Sequence, residues 1–413
     1  MGTAAVIVVS GGVSPLMQVG GLSLLKRAVL TAQKAGTTTC YIILADDQHD
    51  QEELRHELQK DARVICQVVW IRLDDKERVG AIEHERPCLV FAADTVFRHL
   101  LAQELLRHTA PKKTLSITDT SGVPLLALIP GPRVPEICAE LAQGNSLQET
   151  TVLTRSDKLS KSSAPGHFVC RLMTESDAAS VEHELLSSLE NPRDGYVDTY
   201  FNRKLSRSLT HWLLQTSLSP NQITMLSCTV GMLGTLCFLP GGYWGPLCGA
   251  LFLQFSVVLD CCDGEVARVK FMESPLGDWL DIVCDTAVHI AIFLGMGVTV
   301  WRNGETDHAL ALAGVLALGG VLAFPLVTLA EKTEDLGEHR GGWEDILIKK
   351  LLASLTTRDF SVLIVVSALT GQLSWFLWGA AIGAHVFWLS LAWLLFRAGR
   401  FGRIRNIWER KET

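Results

Sequence analysis

Two long stretches of this chain contain no Asp, Glu, Lys or Arg: one between Arg207 and Asp260, the other between Asp359 and Arg397. A water-soluble domain cannot hide so much uncharged sequence in one core, whereas hydrophobic helices of about 20 residues are what a bilayer's hydrocarbon thickness demands. The tryptophans follow the same division. Of the 11, only Trp70 precedes residue 200. The overall figures of 413 residues and 48% hydrophobic content therefore average two unlike halves. A single soluble domain is excluded, as are collagenous, disordered and small disulfide-rich chains.

From residue 223 the sequence breaks into six candidate spans: Ile223–Leu239, Tyr243–Leu259, Leu280–Trp301, Ala309–Ala330, Leu355–Thr370 and Leu373–Phe396. The basic residues Arg268, Lys270, Lys332, Arg340, Lys349, Lys350, Arg358, Arg397, Arg400, Arg403, Arg405, Arg410 and Lys411 all fall on one side of these spans, and Arg302 on the other. The positive-inside rule then places both termini in the cytoplasm, in an integral, multi-pass membrane protein. Trp244, Trp301 and Trp375 suit the interfacial belt on the far side. Before the first span, Arg203, Lys204, Arg207 and Trp212–Leu214 suit a juxtamembrane amphipathic or connecting helix within 191–221.

Residues 1–190 alternate short β-branched runs with amphipathic stretches. Ala4–Val9, Thr38–Ala45, Val64–Leu73, Cys88–Ala93 and Pro124–Ile129 read as strands; Leu22–Lys34, Gln51–Lys60, Arg98–His108, Val134–Gln143 and Glu175–Glu190 read as helices. Alternation of this kind predicts an α/β domain with a parallel sheet covered on both faces. The 11 cysteines are scattered without a C-x-x-C pair, so a reduced, cytosol-facing chain without a zinc site is expected. The net charge of −7 (37 basic against 44 acidic residues) gives no general affinity for nucleic acid.

The chemistry concentrates in residues 259–285, LDCCDGEVARVKFMESPLGDWLDIVCD. Asp260 and Asp263 lie three apart at the end of the second span, and Asp281 and Asp285 four apart at the start of the third. Each pair occupies one helical face, and the short connection sets the faces opposite one another. Carboxylates at the ends of membrane helices are costly, and four of them near only Arg268 and Lys270 repel. A hard divalent cation, Mg²⁺ or Mn²⁺, or two such ions, resolves that repulsion, because oxygen donors and phosphate co-ligands suit it. Asp278 lies outside this pattern and reads as a solvated helix-start residue. His289, one turn beyond Asp285, reads equally as a group orienting that carboxylate or as a bundle histidine.

The spacing Asp260-x₂-Asp263-Gly264-x₂-Ala267-Arg268-x₈-Gly277-x₃-Asp281-x₃-Asp285 resembles the signature of the CDP-alcohol phosphotransferases at every fixed position. The resemblance covers about residues 195–400 and implies an all-α, six-helix transmembrane domain over 222–400, with a basic cytosolic tail at 401–413. It further implies a membrane enzyme with a cytosol-facing site, moving a substituted phosphate from a CDP-alcohol donor to an alcohol or polyol-phosphate acceptor, with release of CMP. By resemblance Asp260, Asp263 and Asp281 hold metal, and Asp285 is the general base and also touches the second metal. Gly264, Ala267, Arg268, Ser274, Gly277, Asn221 and Thr224 border the nucleotide, the acceptor meets basic groups such as Arg358, and the enzyme is a homodimer in a membrane lipid environment.

The N-terminal stretch VIVVSGGVSPLMQVGG resembles the start of the sugar-phosphate nucleotidyltransferases, with Asp94 in the place of that family's metal-binding Asp. The loop is shorter, its Arg is missing, and Ser14 stands where a phosphate-binding Lys is expected. The expectation is a Rossmann-like, degenerate domain kept for assembly or regulation. The combination of domains resembles the bifunctional inositol-phosphate cytidylyltransferase/di-inositol-phosphate-phosphate synthases, so a second activity making the CDP-alcohol from CTP is the alternative. An ion-binding transporter or scaffold is the alternative from another class.

Overall fold

The computed structural model describes residues 3–45, 51–82, 87–107, 114–119, 122–143, 145, 150–155, 167–189, 201–335, 342–355 and 359–400. Two compact units emerge: residues 1–191 with 211–217 and 268–271, and residues 192–210 with 218–267 and 272–413.

The first unit is built on the strands β1 (Thr3–Val9), β2 (Gln18–Val19), β3 (Leu22–Ser23), β4 (Thr37–Leu44), β5 (Gln67–Arg72), β6 (Cys88–Ala92), β7 (Thr95–Phe97), β8 (Thr114–Thr118), β9 (Pro124–Ile129), β10 (Thr150–Arg155) and β11 (Val169–Arg171). Its helices are α1 (Leu24–Ala35), α2 (Gln51–Gln59), α3 (Lys76–Gly80), α4 (His99–Leu106), α5 (Val134–Gln143) and α6 (Ala178–Ser187). Seven strands form one sheet in the order β10-β8-β9-β6-β1-β4-β5. Along β1 the residues alternate between faces: Ala5, Ile7 and Val9 join the core under α1 and α4, and Ala4, Val6 and Val8 the core under α5. A strand buried on both sides must read as a continuous apolar run, as this one does.

The sheet is mixed, which corrects the parallel sheet expected from the sequence. The strands β1, β4, β5 and β6 run parallel, but β9 is antiparallel to both β6 and β8. The cause is local. Asp119 caps the turn after β8, accepting from the Val123 amide at 2.8 Å, and Gly122 takes φ 86°. A return that short joins antiparallel neighbours; a parallel pair needs a crossover of a dozen residues or more. The strand Thr114–Thr118, too short to stand out in the hydrophobic pattern, supplies the partner.

The helices of the membrane half are α7 (Arg203–Leu214), α8 (Pro220–Phe238), α9 (Trp244–Lys270), α10 (Pro275–Arg302), α11 (Ala309–Asp335), α12 (Trp343–Leu355), α13 (Asp359–Leu369) and α14 (Leu373–Arg397). Among the described residues, four of them (α9, α10, α11 as far as Glu331, and α14) are long and apolar enough to cross a bilayer. Helix α8 has 19 residues and α13 only 11. An 11-residue helix rises roughly 16 Å, about half of the ~30 Å hydrocarbon core. The fifth span read as Leu355–Thr370 is thus, among the described residues, a helix over Asp359–Leu369. Close packing explains several glycines: a Cβ on Gly297 would lie 2.4 Å from that of Ala313, so α10 and α11 approach closely only because that position is bare.

Candidate active site

Local sequence sets the ends of the helices that build the site. Ser219 caps α8 in a reciprocal capping box with Gln222, and Pro220 occupies the first helical position. Ser274 caps α10, its hydroxyl accepting from the Gly277 amide at 3.0 Å, again with Pro next. Between α9 and α10, Phe271 takes a left-handed φ of 54° and the Met272 amide returns to the Ala267 carbonyl at 2.8 Å. That tight reversal makes α9 and α10 neighbours and sets the two aspartate pairs opposite each other.

One carboxylate oxygen each from Asp260, Asp281 and Asp285 lies within 4.8 Å of the other two. Asp260 is 6% exposed, while Asp281 and Asp285 are half-buried, so the cluster is closed on the α9 side and reachable on the α10 side. Asp263, also 6% exposed, accepts a short hydrogen bond from Thr224 of α8. Three anionic oxygens so close together fit a hard divalent cation, whose ligands sit at roughly 2.0–2.6 Å.

The other residues singled out from the sequence distribute around this cluster. By the helical repeat, Gly264 and Ala267 fall on the face of α9 that carries Asp260 and Asp263, and both are half-buried. Arg268 continues the same helix and is half-buried. A Cβ on Gly277 would stand 3.0 Å from Asn221 Oδ1 and 3.1 Å from Ser274 Oγ. The bare glycine therefore lets Asn221 of α8 reach the first turn of α10, where amide groups and the helix dipole favour anions. Asp278 is exposed. The His289 ring packs against Phe360 at 5.2 Å and Phe293 at 6.3 Å between centroids. Lys349 and Lys350 are exposed on α12, and Arg340 and Arg358 lie outside the described residues.

Glu265 was not singled out from the sequence. It lies on the face of α9 opposite the aspartates, is 2% exposed, and accepts from Arg203 (3.0 Å), Ser206 (2.9 Å) and Thr210 (2.7 Å), all of α7. The available signal was its position: a carboxylate on the back of a helix whose front faces the site must be paired elsewhere.

In the α/β unit, Asp94 follows β6 and receives Arg171 Nε at 3.0 Å on both carboxylate oxygens. Burial pushes its carboxyl above the usual range, and the guanidinium opposes that rise. The carboxylate is engaged in a structural ion pair that joins β11 to β7.

Residues 217–396 match the family model for CDP-alcohol phosphatidyltransferase. The membrane half of the chain is thus similar to the CDP-alcohol phosphatidyltransferases. Its similar curated proteins include a bifunctional IPC transferase and DIPP synthase of Aquifex aeolicus, 30% identical over 159 residues, covering 37% of this chain and 36% of that one. A phosphatidylinositol phosphate synthase of Mycobacterium marinum is 30% identical over 117 residues, 28% of this chain and 48% of that one. The chain spans about a third of the length of the bifunctional relatives it matches. A solved phosphatidylinositol phosphate synthase of Mycobacterium tuberculosis aligns over 47% of this chain and 94% of its own, at 20% identity and a TM-score of 0.36, a likeness too distant to place residues.

Proposed function

We propose that this protein is an integral-membrane phosphotransferase that transfers a substituted phosphate from a CDP-alcohol to an acceptor alcohol and releases CMP. The convergence of Asp260, Asp281 and Asp285 from two helices within the matched domain carries this reading. Divalent metal, Mg²⁺ or Mn²⁺ as two ions, held by Asp260, Asp263, Asp281 and Asp285, would neutralise charge developing on the donor's pyrophosphate.

The chain's own residues supply the rest. Asp285, half-buried and on the accessible side of the cluster, takes the proton of the acceptor hydroxyl as it attacks the phosphorus. Asn221, Thr224 and Ser274 border the donor at the ends of α8 and α10, and Gly264, Ala267 and Gly277 keep side-chain bulk away from it. Arg268 pairs with its phosphates, and Arg358 serves the acceptor. Six spans with both termini and the site in the cytoplasm, and a homodimer, complete the proposal. The α/β unit acts as a degenerate nucleotidyltransferase-like domain. Arg171 on Asp94 supports that reading over a second, CTP-using activity, to which the names of the bifunctional relatives point.

The test is CMP release by the purified full chain, supplied in parallel with CDP-diacylglycerol plus polar alcohols and with CDP-polyols plus polyol phosphates. Release is expected with one donor class, abolished by a divalent-metal chelator and restored by Mg²⁺ or Mn²⁺. Asp285→Asn should lower kcat by roughly 10²–10⁴-fold while donor binding persists, the range for loss of a general base. Unchanged turnover in that variant would remove Asp285 from its role, and metal-dependent ion flux without CMP would replace the enzyme reading with a transporter.

A further inference from the structure

The α/β unit holds a pair of thiols that the transfer reaction does not use. Cys40 lies in β4, fully buried. Cys66 immediately precedes β5, the edge strand of the sheet, and is half-buried. Their sulfurs stand 3.6 Å apart, in hydrogen-bond contact. Cys66 also lines a surface cavity of about 560 Å³ shared with Arg55, Leu58 and Trp70, so small solutes reach its sulfur from outside while Cys40 waits behind it.

The backbone holds Cys66 in that position. Gln33 of α1 accepts from the amides of Ile65 (2.8 Å) and Cys66 (3.0 Å) and donates to the Arg63 carbonyl at 2.8 Å. A loop pinned at three points keeps one thiol at the cavity wall and against the other.

We propose that Cys40 and Cys66 form an oxidisable dithiol site, in which a hydroperoxide entering the cavity oxidises Cys66 and Cys40 then closes a disulfide. In the first step the Cys66 thiolate attacks a peroxide oxygen. The S–O bond forms, the O–O bond breaks, sulfur loses two electrons, and the departing alkoxide leaves as an alcohol after taking a proton from water. In the second step the Cys40 sulfur attacks Cys66. The S–S bond forms, the S–O bond breaks, and the leaving hydroxide departs as water with the Cys40 proton. Cys40 pairs with Val68 in the sheet, two residues beyond Cys66, so reaching the about 2.05 Å of a disulfide draws the Cys66 backbone toward β4.

The electrostatics agree with the order of events. The hydrogen-bond contact between the two sulfurs holds the Cys66 thiol below its ordinary range, and that same contact together with burial holds Cys40 well above its own. Burial pushes Cys88 and Cys170 up to about 11 and Cys138 up to about 12. An accessible low-pKa thiol backed by a resolving thiol is the arrangement that oxidation selects.

The test uses the full chain in detergent, treated with hydrogen peroxide, then denatured and capped with N-ethylmaleimide, digested and read by mass spectrometry. A linked peptide containing Cys40 and Cys66, lighter by two hydrogens and released by dithiothreitol, is expected, with loss of two maleimide-reactive thiols per chain. In Cys40→Ser the sulfenic acid should persist at Cys66 and be captured by dimedone. In Cys66→Ser, Cys40 should stay maleimide-reactive. Recovery of both cysteines as maleimide adducts after peroxide, or a link from Cys66 to another cysteine, overturns the proposal. The wild-type digest decides this even where a variant fails to fold.

Discussion

Thr224 has one hydroxyl proton and two acceptors in reach, the Pro220 carbonyl at 3.2 Å and the Asp263 carboxylate. The carboxylate is the nearer of the two and accepts the shorter hydrogen bond. A carboxylate oriented in this way is set for whatever it binds on its other oxygen. Thr224→Val, which keeps the shape and removes the donor, should raise the metal concentration for half-maximal CMP release by about 10-fold, at the low end of the cost of losing a group that orients a metal ligand. Thr224→Ser should restore it. An unchanged metal requirement in the valine variant would make the bond a matter of packing. Asp61 offers a second test at this scale, in the α/β unit. Arg63 donates to it from Nε at 2.7 Å and from its backbone at 3.1 Å, which together hold its carboxyl down to about 2. A depressed carboxylate adds stability above its unfolded value of about 3.9, and that stability is lost as pH falls from there toward the folded value. Amide-exchange protection around residues 51–72 should therefore fall over that window in the wild type, and Asp61→Asn should flatten the fall.

Among the elements, the long helix α9 has two working faces. Its front carries Asp260 and Asp263, and its back carries Glu265, clamped by three donors from α7. Glu265→Ala leaves the largely buried Arg203 guanidinium without that partner, a change that costs about 3–5 kcal/mol when a buried pair is broken from one side. Glu265→Gln retains an acceptor and should cost less. Unfolding of the full chain in mixed micelles would rank the two, and equal stability in the alanine variant would show that α7 is held by its apolar contacts alone. The same helix shows what was readable in sequence and what was not. Asp260, Asp263, Asp281 and Asp285 are legible because their spacings of three and four are local and the intervening reversal is short. The donors to Glu265 lie some sixty positions earlier, a distance that no local period encodes. Ser-Pro at residues 219–220 and 274–275 announces α8 and α10 through capping alone. The hairpin of β8 and β9 was hidden because Thr114–Thr118 is short and its turn is closed by Asp119, whose role is visible only in three dimensions. Arg358 lies outside the described residues, and the helix after it covers Asp359–Leu369.

For the membrane part as a whole, polarity is distributed from end to end. At the end away from the aspartates three turns are tied together: the Gly242 amide donates to Asn303 at 2.8 Å, Tyr243 to the Leu369 carbonyl at 3.1 Å, and Arg302 to the Leu239 carbonyl at 2.7 Å. Glu305 and Asp307 are exposed there, beside the exposed indoles of Trp244 and Trp375. At the aspartate end, Arg400 is buried against Asp345, Arg397 lies over the rings of Trp343 and Trp393, and Lys349 and Lys350 are exposed. Lysine and arginine thus collect at the end that bears the carboxylates proposed as catalytic, and under the positive-inside rule this supports the proposed cytoplasmic orientation. The nucleotide donor proposed for the site is a cytosolic species or carries a cytosolic headgroup, so chemistry and charge bias demand the same orientation. Gly304, in an exposed turn at φ 70°, is a place where an inserted epitope leaves the helices intact. Antibody should reach that epitope on intact cells, and should reach one fused to the C-terminus only after the membrane is permeabilised. The opposite pattern would turn the aspartates to the outside. CMP release would then need a donor that cytosolic metabolism does not deliver, and the orientation and the proposed substrate class would fall together.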